Sequence, residues 1–166
     1  FTLACPLSFQ QSPAPRKQAA GDAAPIAAGQ EILLVEDNPV NQTVIEAMLR
    51  SLGYRVTLVA DGIQAVRSAE RQRYDAILMD CRLPVLDGYS ATREIRAQEN
   101  GRRVPIIALT ANALQGDREN CLQAGMNDYL AKPFKRAELQ RILQRWIGSQ
   151  PERPVTSNET GRGEPE

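Results

Sequence analysis

The chain contains no histidine, and that absence removes a large part of enzyme chemistry. Without imidazole there is no Ser-His-Asp or Cys-His catalysis, no His-ligated metal site and no phosphohistidine to donate. Cysteine is scarce: Cys5, Cys81 and Cys121 make an odd count with no metal-ligand spacing, and they are expected as free thiols in a reducing cytosol. Cys81 directly follows Asp80, yet nothing in the sequence supports a redox role for it. Net charge is also missing. Lys and Arg together number 20, and so do Asp and Glu, which leaves no field to recruit nucleic acid or an acidic membrane surface. No apolar run approaches the roughly 20 residues that span a bilayer, and the start does not read as a signal peptide. The chain begins at Phe1 rather than Met, and a fragment of something longer is expected.

What is present reads as one domain with tails. The 166 residues are 42% hydrophobic and 24% charged, the balance of a globular protein. Residues 10–29 are rich in Ala, Pro, Gln and Gly and read as a linker, and residues 149–166 read as a disordered tail or linker. Between them, over 30–148, short apolar runs alternate with stretches of helical spacing. The runs Glu31–Glu36, Arg55–Val59, Ala76–Asp80, Pro105–Leu109 and Asp128–Ala131 are predicted as buried strands. Val40, Val44 and Met48 recur every fourth residue beside Ile45, Leu49 and Leu52, with Asn38 as cap, Pro39 in the first turn and Gly53 as stop. Ile63, Val66 and Ala69 form a second stripe, and Leu139, Ile142, Leu143 and Trp146 a last one. All three stripes are read as core packing, as are Met48, Met79 and Met126. Five strand–helix units in about 120 residues imply an α/β fold with a parallel sheet covered on both faces. Its chemistry is then expected where the carboxyl ends of the strands converge.

The predicted strand ends are polar. The first run ends in Glu36 and Asp37, the third in Asp80 and the fourth in Thr110, while Lys132-Pro133 follows the fifth. Two carboxylates ~5 Å apart at an effective dielectric of 20 repel by ~3 kcal/mol, so the cluster calls for a cation. Oxygen ligands without His or thiolate suit Mg²⁺, with Mn²⁺ as a second choice. A carboxylate beside such an ion can attack a phosphoryl group, and Asp80, central and ending an apolar strand, is the best nucleophile. Lys132 and Thr110 can hold phosphoryl oxygens.

Four segments carry a family resemblance: VEDNPVNQ (35–42), LMDCRLPVLDGY (78–89), IIALTANA (106–113) and AGMNDYLAKPF (124–134). In this order they resemble the signature segments of response-regulator receiver domains, and the resemblance spans about residues 30–147. It implies the flavodoxin-like receiver fold, a five-stranded parallel sheet of order 2-1-3-4-5. It implies Asp80 as phosphoacceptor, with Mg²⁺ held by Asp37 directly, by Glu36 largely through water, by Asp80, and by the backbone carbonyl of Arg82. Glu36 stands where many relatives have Asp, and the retained charge keeps metal binding in the expectation. Thr110 and Lys132 are implied as phosphoryl ligands, Thr110 and Tyr129 as the switch pair, and Arg82 and Asn112 as the residues that tune hydrolysis. Lys132-Pro133 resembles the site of a cis peptide. Partner docking is expected at Val40, Asn41 and Val44 on the first helix and at Pro133 and Phe134.

The wording of these segments resembles receivers attached to hybrid sensor histidine kinases more than those of transcription factors. FTLACPLSF (1–9) resembles the last strand of a histidine kinase ATP-binding domain. The expected partners are therefore a histidine kinase core or a histidine phosphotransfer domain, at a cytoplasmic location, in a parent that can be membrane-anchored. Residues 149–166 show no DNA-binding helix pair or basic patch, so neither an output domain nor nucleic acid is expected. The fragment would accept and lose a phosphoryl group, while kinase activity would belong to the parent. Two alternatives stay within the family: a stand-alone regulator, and a docking or inhibitory module that works without phosphorylation. A flavin or nucleotide enzyme would need a phosphate-cradling Gly-rich turn after the first strand, which is absent. A phosphatase with an aspartyl intermediate would want an acid where Arg82 stands.

Overall fold

Residues 32–35, 76–79 and 106–109 are aliphatic in unbroken succession, apart from one methionine, so a strand made of them is apolar on both faces. Only a sheet covered on both sides can bury such strands, and that is the arrangement found. A computed structural model of the chain describes residues 29–99, 103–111 and 115–148. The expected stub at 1–9, nearly all of the linker at 10–29, the tail at 149–166, Cys5 and Asn112 lie outside them. Strands β1 (Glu31–Val35), β2 (Arg55–Val59), β3 (Ala76–Asp80), β4 (Ile106–Thr110) and β5 (Asp128–Ala131) alternate with α1 (Pro39–Ser51), α2 (Gly62–Arg71), α3 (Gly88–Gln98), α4 (Gln115–Ala124) and α5 (Arg136–Ile147). The sheet is parallel throughout, in the order β2-β1-β3-β4-β5. Against the predicted runs, β1 stops one residue earlier and β4 starts and ends one residue later, as ladder ends commonly do.

Alternation along the strands divides the core in two. Leu33, Val35, Ile77, Met79, Ile106 and Ala108 face α2, α3 and α4, where Ala65, Val66, Ala91, Ile95 and Cys121 meet them. Ile32, Leu34, Ala76, Leu78, Ile107 and Leu109 face α1 and α5 and pack on Ile45, Leu49, Leu139, Leu143 and Ile147. Each fully buried aliphatic side chain contributes about 1.5–3 kcal/mol.

One expectation needs correction. Val40 and Val44, read as core, are 69% and 48% exposed, and Ile63 is 38% exposed. The row of Val40, Val44 and Met48 runs about 100° round α1 from the row of Ile45 and Leu49, so it borders the buried face, and in α2 that face is Gly62, Ala65 and Val66. The buried ridge of α1 is Ile45 and Leu49, with Met48 half-buried beside them. Met79 and Met126 are core residues as predicted.

The helix starts near the rim are held by capping. Asn38 accepts from the Val40 N–H at 2.9 Å ahead of Pro39, and Asp61 accepts from the Gln64 N–H at 2.8 Å. Asp87 accepts from the Ser90 N–H at 2.9 Å and from its hydroxyl at 3.0 Å. Gly53, at φ 92°, follows the end of α1 as expected. Gly88 is required by close approach: a Cβ there would lie 2.1 Å from the Asp80 carbonyl oxygen.

The Ser90 backbone N–H, ahead of the Ser90 hydroxyl and the Arg93 charge, holds the Asp87 carboxyl below the usual aspartate range. A lowered folded-state pKa contributes stability that is present above the ordinary value of about 3.9 and is lost as pH falls through the lowered one. Asp87→Ala should therefore lower the unfolding free energy by about 1 kcal/mol at neutral pH. Urea titrations of both proteins should show that difference closing in acid.

Candidate functional site

The parallel connection brings every strand's carboxyl end to one rim, and the polar residues gather there. Glu36 leaves β1 as a buried carboxylate, 1% exposed, with exposed Asp37 beside it. Asp80 ends β3 and Thr110 ends β4, both buried. One carboxylate oxygen each from Glu36, Asp37 and Asp80 lie within 4.8 Å of one another. Lys132 follows β5 across a cis peptide to Pro133. Its backbone N–H donates to the Thr110 carbonyl at 2.7 Å. Its ammonium donates to Glu36 Oε2 at 2.5 Å and to Asp80 Oδ2 at 2.6 Å.

The two buried acids are oriented on their other oxygens as well. Asp80 Oδ1 accepts from the Arg82 N–H at 2.9 Å. Glu36 Oε1 accepts from the Asn38 N–H at 3.3 Å and from Asn41 Nδ2 at 3.2 Å, while Gln42 Nε2 donates to the Glu36 carbonyl at 2.6 Å. Burial alone would pull the Lys132 pKa down. The hydrogen bonds and charges of Asp80 and Glu36 outweigh it and raise the pKa above the ordinary lysine value. Three carboxylates against one ammonium leave a surplus of negative charge on an all-oxygen donor set. Such a set could hold a hard divalent cation.

The remaining predicted residues divide by position. The Arg82 side chain is exposed. Tyr129 is half-buried against the α2–α4 side of the core, with the Arg118 guanidinium 5.9 Å from its ring centre. Val40, Val44 and Pro133 are exposed, and Phe134 is half-buried on the α1–α5 side. Asn41, expected at a docking surface, also reaches inward to Glu36. Sequence reasoning missed Asn38, Asn41 and Gln42 as the groups that fix Glu36. The available signal was their spacing of two, five and six residues from it on the first turn of α1.

A profile of the response regulator receiver domain matches residues 32–144, more than half of the chain. The chain belongs to the response regulator receiver family. This receiver is 42% identical over 145 residues to Two-component system protein A of Emericella nidulans, a match covering 86% of this chain and 21% of that protein. It is 40% identical over 126 residues to Hybrid signal transduction histidine kinase I of Dictyostelium discoideum, covering 71% of this chain and 7% of that protein. The chain thus spans about a fifth or less of the curated relatives it matches. Among solved structures, the receiver domain of Ssk1, co-crystallised with the histidine phosphotransfer protein Ypd1 of Saccharomyces cerevisiae, superposes with a TM-score of 0.67 at 32% identity, covering 73% of this chain and 90% of that one. The five-stranded order and the receiver fold expected from the sequence are thereby borne out, as is the kinship with receivers of hybrid histidine kinases. No helix among the described residues is long and apolar enough to cross a membrane.

Removing the ammonium isolates two buried negative charges. Stripping one partner from a buried ion pair costs roughly 3–5 kcal/mol, and the partial exposure of Lys132 reduces this to about 2 kcal/mol. Lys132→Met should show that loss in urea unfolding with a chelator present. Lys132→Met combined with Glu36→Gln should recover part of it.

Proposed function

We propose that Asp80 accepts a phosphoryl group from a phosphohistidine, with Mg²⁺ held by Glu36, Asp37, Asp80 and the backbone carbonyl of Arg82. The observation that carries this reading is the Lys132 ammonium reaching across the sheet to Asp80 at 2.6 Å within a cluster of three carboxylates. An Asp80 carboxylate oxygen forms a bond to phosphorus, the phosphorus–nitrogen bond to imidazole breaks, and the departing nitrogen takes a proton. When bound, the metal neutralises phosphoryl oxygens that the acidic rim would otherwise repel; Mn²⁺ has the same chemistry.

The chain's own groups do the rest. The Arg82 N–H holds one Asp80 oxygen in place, leaving the other to the incoming phosphorus. Lys132 is already poised at Asp80 and can exchange a carboxylate for a phosphoryl oxygen without leaving the site. Thr110 supplies a second donor from the neighbouring strand. Phosphorylation adds about −2 charge at the rim. Thr110 then moves toward the phosphoryl group, Tyr129 follows, and the surface of α4, β5 and α5 changes state. Arg82 and Asn112 set how long the phosphoryl group survives water.

The partner is a histidine kinase core or a histidine phosphotransfer domain, docked on Val40, Asn41, Val44, Pro133 and Phe134. The exposure of Val40 and Val44, on the helix whose Asn41 reaches Glu36, supports this. The kinship with hybrid kinases supports a parent of that kind, in which this receiver works on the cytoplasmic side.

With Mg²⁺ and acetyl phosphate the receiver should gain one acid-labile phosphoryl group by intact-mass measurement. Asp80→Asn, or excess chelator, should abolish the gain, and an unchanged gain in Asp80→Asn would refute the assignment. Val44→Asp should slow transfer from a phosphorylated histidine phosphotransfer domain about tenfold more than it slows labelling by acetyl phosphate. Tenfold corresponds to about 1.4 kcal/mol of lost docking energy.

A further inference from the structure

Two thiols fall among the described residues, and the fold brings them together. Cys81 is the residue after Asp80, at the carboxyl end of β3, and Cys121 lies on α4. Their sulfurs are 4.0 Å apart, and Cys81 and Cys121 are only 6% and 1% exposed. Both thiols are free. The only buried side chains described on α4 are Cys121 and Ala124. The thiol is thus a main grip of this helix on the sheet, and it grips the sulfur next to the site's central aspartate.

We propose that Cys81 and Cys121 form an oxidation site, which hydrogen peroxide converts to a disulfide tying α4 to the end of β3. The Cys121 sulfur attacks one peroxide oxygen, a sulfur–oxygen bond forms, and the oxygen–oxygen bond breaks. Hydroxide leaves and takes the Cys121 proton as water, giving a sulfenic acid. The Cys81 sulfur then attacks Cys121, the sulfur–sulfur bond forms, and the second hydroxide departs with the Cys81 proton as water. Two electrons pass from the thiols to the peroxide, so two thiols and one peroxide give one disulfide and two waters. The sulfurs must close from 4.0 Å to about 2.05 Å. Side-chain rotation and a small advance of α4 supply this, and α4 holds the sheet by few large groups. A disulfide formed under such adjustment is one that cellular thiols can reduce again.

The consequence rests on the phosphoacceptor reading. Cys81 donates its backbone N–H to the Leu109 carbonyl at 3.1 Å, so a tether at Cys81 couples α4 to the strands that carry Asp80 and Thr110. The oxidised receiver should take a phosphoryl group from acetyl phosphate at least about fivefold more slowly, the lower end of ordinary coupling between sites.

The test uses the full chain carrying Cys5→Ser, treated with hydrogen peroxide, quenched with an alkylating agent in denaturant and mapped without reduction. The expected result is a Cys81–Cys121 cross-linked peptide, two hydrogens lighter than the pair and released by dithiothreitol, absent when either cysteine is replaced by serine. The site is overturned if both thiols stay alkylatable, if they oxidise separately to sulfinic acids, or if the cross-link forms only in denatured protein. The cross-link should form equally in Asp80→Asn, so its failure is separate from any failure of the phosphoacceptor reading, which would appear as absent labelling of the reduced protein. If cross-linked and reduced receivers are labelled at the same rate, the regulatory half of the proposal falls.

Discussion

A lysine ammonium held between two buried carboxylates is the contact on which the rim of this sheet depends. Parallel connectivity gathers the strand ends, and here it gathers Glu36, Asp37 and Asp80. At the effective dielectric of a protein surface, neighbouring carboxylates at such separations repel by about 3 kcal/mol per pair. Lys132 relieves this from an edge strand. Adjacent strands lie about 4.8 Å apart, so the side chain must cross the end of β4 to reach Asp80 on β3 and Glu36 beyond β1. It can do so because its backbone stays tied to Thr110 while its side chain lies over the strand ends. The same geometry leaves Asp37 uncompensated and exposed. The cluster therefore keeps a net negative charge open to solvent, which gives the proposed cation its place.

Much of this was legible because the strands are short, aliphatic and regularly spaced. A run such as ILLV, followed at once by Glu36-Asp37, announces both a buried strand and a polar rim. What periodicity could not tell was which of two adjacent apolar rows faces the sheet. Val40 and Val44 share the row of Met48, yet the row of Ile45 and Leu49 is the buried one. Nor could it reveal contacts between residues distant in sequence. Arg96, passed over in the sequence, donates to Glu99 at 2.6 Å, to the Val104 carbonyl at 2.7 Å, to the Gly125 carbonyl at 2.8 Å and to Asn127 at 2.6 Å. Burial pulls its pKa down, and Glu99 opposes that shift. Only the folded chain brings these carbonyls and amides to one guanidinium, whose fixed fork of donors can serve several acceptors at once.

That guanidinium sits at the foot of α4, where it fixes Gly125 and Asn127 on the way into β5. The body of the helix is held differently. Helix α5 buries Leu139, Leu143 and Ile147, whereas the described part of α4 buries Cys121 and Ala124. At about 1.5–3 kcal/mol for each large aliphatic group buried, shifting α5 would cost several times more than shifting α4. A perturbation at the rim therefore meets less resistance in α4 than in α5, with Arg96 acting as a fixed pivot at the carboxyl end of α4.

The division of the core gives this asymmetry a direction. Alternation sends Leu78 and Leu109 toward α1 and α5, and Met79 and Ala108 toward α2, α3 and α4. On the second face, the side chains around the ends of β3 and β4 are small or adaptable: Ala108, Cys81, Cys121 and the flexible Met79. Small groups leave room for a neighbour to move, while close-packed leucines do not. An added charge of about −2 at Asp80 would thus be accommodated on the side where the thiols lie, leaving α1, with its exposed valines, nearly fixed. Under the proposed phosphoryl cycle, the proposed docking surface on α1 would stay constant while the α4 side would report the change.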